Sequence, residues 1–285
     1  MFRILYNIYM LFKDVLSVLQ YSLNNETRIG NNCRINTRYT TNTITDYEQC
    51  IPKIIHQTHE SENLSLENYT ASEIISQMNP EYIYKFYNSE QRKDYIKKHF
   101  GEKSIIYKCY QKLKPNTYKS DLFRWCVLYI DGGIYIDCKS MTIVPLRNFI
   151  PPKSLMALFW DPYPKRISTG FLSSVPKNPI VKDMIDLIIF HTIFNIYGLN
   201  PLDVTGPILI SKIINESQYI IGKDLDIIGS RLLLCEHYCR FNKTEQTEQN
   251  VEPLIQRYYK GFWGFQSITN RYEYRWIIGD IFEKN

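Results

Sequence analysis

Alanine is nearly absent: Ala71 and Ala157 are the only two in 285 residues. With abundant Ile and Asn, this looks like the coding bias of an AT-rich genome, so the 23 tyrosines are read mainly as packing residues. Also missing is any apolar run near the ~20 residues that a spanning helix needs. The best one, Ile4 to Phe12, is interrupted by Asn7 and stopped by Lys13-Asp14. There is no basic block either. Lysine and arginine are scattered and the net charge is only +5, which argues against a nucleic-acid footprint and suits a small anionic partner equally well. The seven cysteines are dispersed and odd in number, unlike a stapled secreted scaffold. Five glycosylation sequons, at Asn25, Asn63, Asn68, Asn215 and Asn242, would matter only in a secretory lumen. A cytoplasmic or membrane-associated location is favoured over a secreted one. No internal repeat is evident.

What is present suits a globular protein, with 44% hydrophobic residues in a chain long enough to bury a substantial core. Residues 1–24 read as an amphipathic helix. Asn7, Lys13, Asp14, Ser17 and Gln20 fall on one side, and Ile4, Leu5, Ile8, Leu11, Phe12, Val15, Leu16 and Leu19 cover the rest. Such a helix packs on its own domain or a partner, or makes peripheral contact with a membrane; its few cations favour packing. Residues 25–50 are polar and aperiodic and read as a linker. A single domain is expected over 51–285.

Within that domain, Lys53 to Thr58 and Tyr82 to Tyr87 read as strands. Helices are expected around Ala71 to Met78, from a cap at Ser89 to about Phe100, and over Ile105 to Leu113, the last ended by Pro115. Beyond Pro145, short strands at Leu155 to Trp160 and Gly170 to Ser174 precede helices opening at Asn178-Pro179 and Thr205-Gly206-Pro207. Strands and aromatic-rich loops then alternate from Gln218 to the end. The mixture predicts an α/β sheet with helical cover.

The most informative stretch is Ser120 to Pro145. Ser120 is a plausible helix cap, Leu122, Cys126 and Ile130 recur at helical spacing, and Gly132-Gly133 ends the helix. Ile134, Tyr135 and Ile136 then form a buried strand that delivers Asp137 to its C-terminal end, where open α/β sheets bind ligands. Asp121 and Arg124 are three apart on one helix face and address the same place. Taken alone, Asp121 is as well explained by a first-turn acid facing the helix dipole, and Arg124 by a surface cation.

Four segments in order resemble the glycosyltransferases with a DXD sugar-binding region, a group of yeast and bacterial mannosyl- and galactosyltransferases more distantly similar to clostridial glucosylating toxins. They are Ile51-Pro-Lys-Ile-Ile-His-Gln-Thr, Asn79-Pro-Glu-Tyr, Ser120-Asp-Leu-Phe-Arg-Trp with Gly132-Gly-Ile-Tyr-Ile-Asp, and Thr205-Gly-Pro. The resemblance covers about Ile51 to Ser211. It implies a GT-A fold, a Rossmann-like sheet with added helices and an aromatic-rich C-terminal region. The implied activity is retaining transfer of a hexose from a nucleoside diphosphate sugar to a glycan, lipid-linked or protein acceptor, usually with manganese. Carried over by position, Asp121 and Arg124 hold the sugar and ribose, Tyr135 packs near the nucleotide, and Asp137 contacts ribose or the metal's water shell. Asp121 and Asp137 are the expected catalytic acids. A carboxylate accepts two sugar hydroxyls at once, and a guanidinium offers paired donors to the oxygens around the reacting carbon.

The sequence departs from that pattern at one position. Where the family has Asp-x-Asp, this chain has Asp137-Cys138-Lys139. A protonated lysine cannot ligate a metal. Three readings follow: Lys139 neutralises the diphosphate without a metal, Mn2+ or Mg2+ is held by Asp137 with a C-terminal group, or the domain is a non-catalytic sugar-nucleotide or glycan-binding module. His56 and Gln57 are candidates for the nucleotide pocket and equally for a satisfied core pair. Cys235, His237 and Cys239 alternate on one strand face, which suits packing better than zinc. In the resembling family distal C-terminal groups supply a late metal ligand, and His237 is a candidate for that place. Trp263 and Trp276 suit an acceptor groove or, more readily, a hydrophobic core.

Overall fold

The computed structural model describes residues 33–35, 37, 48–161, 166–216, 218–232, 237–240, 252–257 and 272–283. The expected helix over 1–24, Cys235 and Trp263 lie outside these residues, as does the side chain of His237. Strand β1 (Cys33–Arg34) pairs with β3 (Asn63–Leu64). Ile35 is buried and Thr37 donates from its hydroxyl to the Phe86 carbonyl. Part of the segment expected as a linker therefore packs on the domain: Ile35 supplies apolar area that polar neighbours masked in the sequence pattern.

Chain order then runs β2 (Ile54–Thr58), β3, α1 (Leu66–Met78), β4 (Ile83–Tyr87), α2 (Ser89–Phe100), α3 (Ile105–Lys112) and α4 (Asn116–Ile130). It continues with β5 (Gly133–Ile136), β6 (Ser140–Thr142), β7 (Met156–Trp160), β8 (Ile167–Ser174), α5 (Pro179–Ile193) and α6 (Pro207–Glu216). Last come β9 (Asp226–Leu232), β10 (His237–Arg240), β11 (Glu252–Arg257) and α7 (Tyr272–Ile277), a short helix that the sequence reading did not anticipate. Local chemistry explains most helix starts. Ser65 accepts from the Asn68 amide, Asn88 and Gln91 make a reciprocal capping box, and Asn178 caps α5 with Pro179 behind it.

One start differs from expectation. Helix α4 begins at Asn116, after Pro115, so Ser120 does not cap it and Asp121 lies in the second turn. Pro115 both ends the preceding segment and pre-sets φ for the next helix. Asp121 is thus beyond the first turn, where the helix dipole acts most strongly.

Nine strands form one mixed sheet in the order β4-β2-β5-β8-β7-β9-β10-β11-β6. β4, β2 and β5 run parallel, as do β7 and β9; β8 is antiparallel to both neighbours, and β10, β11 and β6 extend an antiparallel edge. The α/β class expected from the sequence is present. Strand β6 follows β5 after residues 137–139, yet five strands separate them in the sheet. Flat, that separation is about 29 Å at the usual strand spacing. The chain from Ile136 to Ser140 reaches only about 14 Å. The sheet must therefore curl, bringing its β6 edge back near the C-terminal end of β5. Two cores flank it. Phe123, Trp125, Leu128, Tyr135, Ile185 and Ile188 are buried in the first, and Ile55, Tyr84, Ile134, Ile136, Phe159 and Phe171 in the second.

Candidate functional site

Helix and strand meet at a close approach that only glycine permits. Gly133 has φ +95°, and a Cβ there would lie 2.5 Å from the Ile54 carbonyl oxygen. Gly132, at φ +66°, lets the chain turn out of α4 just before. Strand β5 is thereby drawn tight against β2. Alternation along it sends Ile134, Ile136 and Cys138 to one core and Tyr135 to the other, beneath α4.

Four of the predicted residues converge at the end of β5. Arg124 Nη2 lies 2.8 Å from Asp121 Oδ1, and Arg124 Nη1 donates to the Thr169 carbonyl at 2.5 Å. The guanidinium sits 4.7 Å above the centre of the Tyr135 ring and 4.0 Å from Asp137 Oδ1. The Tyr135 hydroxyl donates to Asp137 Oδ1 at 3.3 Å. Asp121 and Arg124 are both buried, whereas the Asp137 side chain is 20% exposed. Tyr135 is only 2% exposed, so it supports Arg124 and Asp137 from below and is not an open wall of a nucleotide pocket.

A fifth residue completes the group. Thr205 is fully buried, and its hydroxyl donates to Asp121 Oδ2 at 2.6 Å. Asp121 therefore has one oxygen on Arg124 and the other on Thr205. Burial nevertheless pushes its carboxyl up to about 6, against the pull of Arg124 and Thr205 and with a smaller upward push from Asp137. The sequence flagged Thr205-Gly206-Pro207 as a helix opening without giving the threonine a role. Its signal was the motif; its partner, 84 residues away, is visible only in the fold.

The turn after β5 carries the departure from Asp-x-Asp. Asp137 N–H donates to the Gly170 carbonyl, and the Ser140 amide donates to the Asp137 carbonyl, closing a tight turn. Cys138 is buried, its Sγ lies 3.3 Å from the Thr58 carbonyl oxygen, and burial raises its thiol well above the ordinary range. Lys139 is half-exposed in the same turn. Strand β11 ends here too, with Arg257 paired to Ser140.

His56 and Gln57 do not line one pocket together. Being neighbours on β2, they face opposite sides of the sheet. His56 is fully buried, with Nε2 2.9 Å from the Gly132 carbonyl oxygen and Nδ1 3.4 Å from the Tyr87 hydroxyl. Burial outweighs the favourable Gly132 contact and lowers its pKa to about 4. It is a neutral core residue. Gln57 is equally buried: Oε1 accepts from Ser72 and Tyr84, and Nε2 donates to the Asp137 carbonyl at 3.3 Å. Its contact with the site is through the backbone of Asp137.

No cluster of three or more metal-ligating side chains occurs among the described residues. Asp121 is committed to Arg124 and Thr205, which leaves Asp137 as the one accessible carboxylate of the predicted set. By itself this is a poor fit to a resident metal. A Mn2+ or Mg2+ ion would draw the rest of its shell from substrate phosphates and water. Trp276 is buried, its indole N–H donating to the Tyr197 carbonyl, so it is a core residue and not part of an acceptor groove. Among the described residues no helix is long and apolar enough to cross a membrane.

A buried carboxylate–guanidinium pair carried on an aromatic ring, with a second acid at the strand edge, is suited to recognising polyols and phosphates together. Residues 65–156 match the family described as glycosyltransferase sugar-binding region containing DXD motif. The chain is similar to mannosyl phosphorylinositol ceramide synthase SUR1 of Saccharomyces cerevisiae, with 25% identity over 166 residues, 58% of this chain and 42% of that protein. It is also similar to the initiation-specific alpha-1,6-mannosyltransferase of Schizosaccharomyces pombe, with 32% identity over 108 residues, 37% of this chain and 27% of that protein. A third relative, uncharacterized glycosyltransferase L373 of Acanthamoeba polyphaga mimivirus, is 27% identical over 139 residues, 46% of this chain and 52% of that protein. The chain thus spans about half or less of the length of these relatives. Their names agree with the resemblance drawn from the motifs.

Proposed function

We propose that the protein transfers a hexose from a nucleoside diphosphate sugar to a glycan, lipid-linked or protein acceptor, with retention of configuration. The observation that carries this reading is the convergence of Asp121, Arg124 and Asp137 over Tyr135 at the end of β5. In the reaction, the anomeric carbon exchanges its bond to a phosphate oxygen for one to an acceptor oxygen. The nucleoside diphosphate leaves, and the acceptor's hydroxyl proton passes to the departing phosphate. Asp121, aligned by Thr205, accepts sugar hydroxyls on the lone pairs that its bonds to Arg124 and Thr205 leave over, and Arg124 donates around the reacting carbon. Negative charge grows on the diphosphate as it leaves and must be met there. Lys139, in the turn beside Asp137, is assigned that role; Asp137 orients the ribose and the phosphate end. A divalent cation bound with the donor would supply the same neutralisation.

Asp121→Asn and Asp137→Asn should each abolish transfer and donor hydrolysis while leaving the melting temperature within a few degrees. Full activity in either folded variant overturns the assignment. Donor binding without turnover across a broad acceptor panel would instead mark a sugar-nucleotide-binding module. For Lys139, turnover should persist in chelator and fall at least tenfold in Lys139→Gln. Strict manganese dependence, with Lys139→Gln unimpaired, would transfer the neutralising role to metal.

A further inference from the structure

The loop between α5 and α6 is firmly held yet presents apolar side chains to solvent. Asp203 Oδ2 accepts from the Leu199 and Asn200 amides, and the Tyr118 hydroxyl donates to the Pro201 carbonyl. Tyr197 is pinned at both ends: its carbonyl accepts from Trp276 and its hydroxyl donates to the Gly279 carbonyl. Even so, Leu199 is 90% exposed and Phe194 64%. Phe190, Ile193 and Ile278 are each more than 40% exposed. The rings of Phe190 and Phe194 are 4.8 Å apart and Ile193 ends the same helix. Leu199 and Ile278 flank the Tyr197–Gly279 bond, and the Tyr197 ring packs 5.4 Å from that of Phe282, beneath the same Lys112 that reaches the Ile193 carbonyl. The five are thereby linked into one surface.

Cations border this surface. Lys112 Nζ donates to the Ile193 carbonyl at 3.4 Å, and Lys108 stands one turn earlier on the exposed face of α3. Neither has a carboxylate partner among the described residues. Nearby Asp280 is taken up by Lys114 and Arg275, and Glu283 lies 3.8 Å from Lys114. Lysine is depleted at protein–protein interfaces, whereas exposed Phe and Leu bordered by lysine suit the boundary of an anionic bilayer. The same loop ends at Thr205, which holds Asp121, so this surface adjoins the candidate site.

We propose that the Phe190–Phe194–Leu199 face docks on an anionic lipid bilayer and sets the site at the headgroup level. This docking is independent of the transferase reading, because it requires no turnover. The full chain, residues 1–24 included, should co-sediment with phosphatidylcholine vesicles containing 30% phosphatidylserine. Phe194→Ser combined with Leu199→Ser should weaken that partition roughly tenfold or more, since two large side chains stay in water. Lys108→Glu with Lys112→Glu should reduce binding to the anionic vesicles at low salt and lose that effect at high salt. Matching thermal melts establish that each variant is folded.

Partition unchanged in the Phe194/Leu199 variant overturns the proposal and leaves any binding to residues 1–24. Absence of vesicle binding by the wild type overturns it as well. A wild-type dimer in light scattering, made monomeric by the same two substitutions, would reassign the face to a second copy. Loss of transfer on soluble acceptors in Asp121→Asn, with vesicle partition intact, separates the two readings.

Discussion

Replacing Thr205 with valine keeps the shape of a fully buried side chain and removes one hydroxyl, which donates to Asp121 Oδ2 at 2.6 Å. A hydrogen bond to an ionised group is worth ~1.5–3 kcal/mol and favours the ionised form. One pH unit corresponds to about 1.36 kcal/mol, so its loss raises the Asp121 carboxyl by roughly one to two units. From about 6 in the wild type it moves to roughly 7 to 8 in the variant. Under the proposed function, donor binding by Asp121 and Arg124 requires the carboxylate. The acid limb of the pH–activity profile should therefore move up by the same interval, with activity recovering toward pH 9.

Stability changes in a matching direction. A carboxyl raised above its ordinary value holds its proton more tightly when folded, so its contribution is complete below about 3.8 and is lost as pH rises through about 6. In Thr205→Val that loss continues to higher pH. The variant should nearly match the wild type at pH 5 and be less stable by roughly 1.5–3 kcal/mol at pH 9. Urea titrations at the two pH values, with the activity profile, provide the measurement. An unmoved acid limb, or an impairment equal from pH 5.5 to 9, would refute the role of the Thr205 hydroxyl.

Two further substitutions test the scaffold. His56, held neutral to about pH 4 against an ordinary 6.5, contributes stability that is complete above 6.5 and declines as pH falls to 4, by roughly 3 kcal/mol. In His56→Gln that decline disappears, so the wild type's advantage should shrink on acidification from pH 7 to 4; parallel urea curves would contradict it. Gly133→Ala places a Cβ 2.5 Å from the Ile54 carbonyl oxygen at φ +95°. A cost above ~3 kcal/mol, seen as lost soluble yield or a sharply lowered melting temperature, is expected, and a wild-type melt would rule out the close approach.

Much of the site was legible because its signals are local. Helical spacing placed Asp121 and Arg124 on one face of α4, a glycine pair marked the turn, and a short apolar run marked β5 and delivered Asp137 to its end. Asn178 was read as opening α5, and it caps that helix through a contact two residues on; α2 is capped by Asn88, one residue before the Ser89 that the sequence suggested. Ser120 misled because a good capping residue carries no information about Pro115, five positions earlier, having already begun the helix.

By itself, then, the sequence determined the helix–turn–strand unit, its Asp121–Arg124 pair and a lysine at 139, where the resembling family has its second acid. The tertiary structure alone decided which partners those residues meet. Thr205 reaches Asp121 across 84 residues, and Tyr135 turns under Arg124. His56 and Gln57 part to opposite faces, and β6 pairs at the far edge of a curled sheet. The physical reason is the same each time: burial and long-range hydrogen bonding depend on which elements pack together, and no window of neighbouring residues contains that choice.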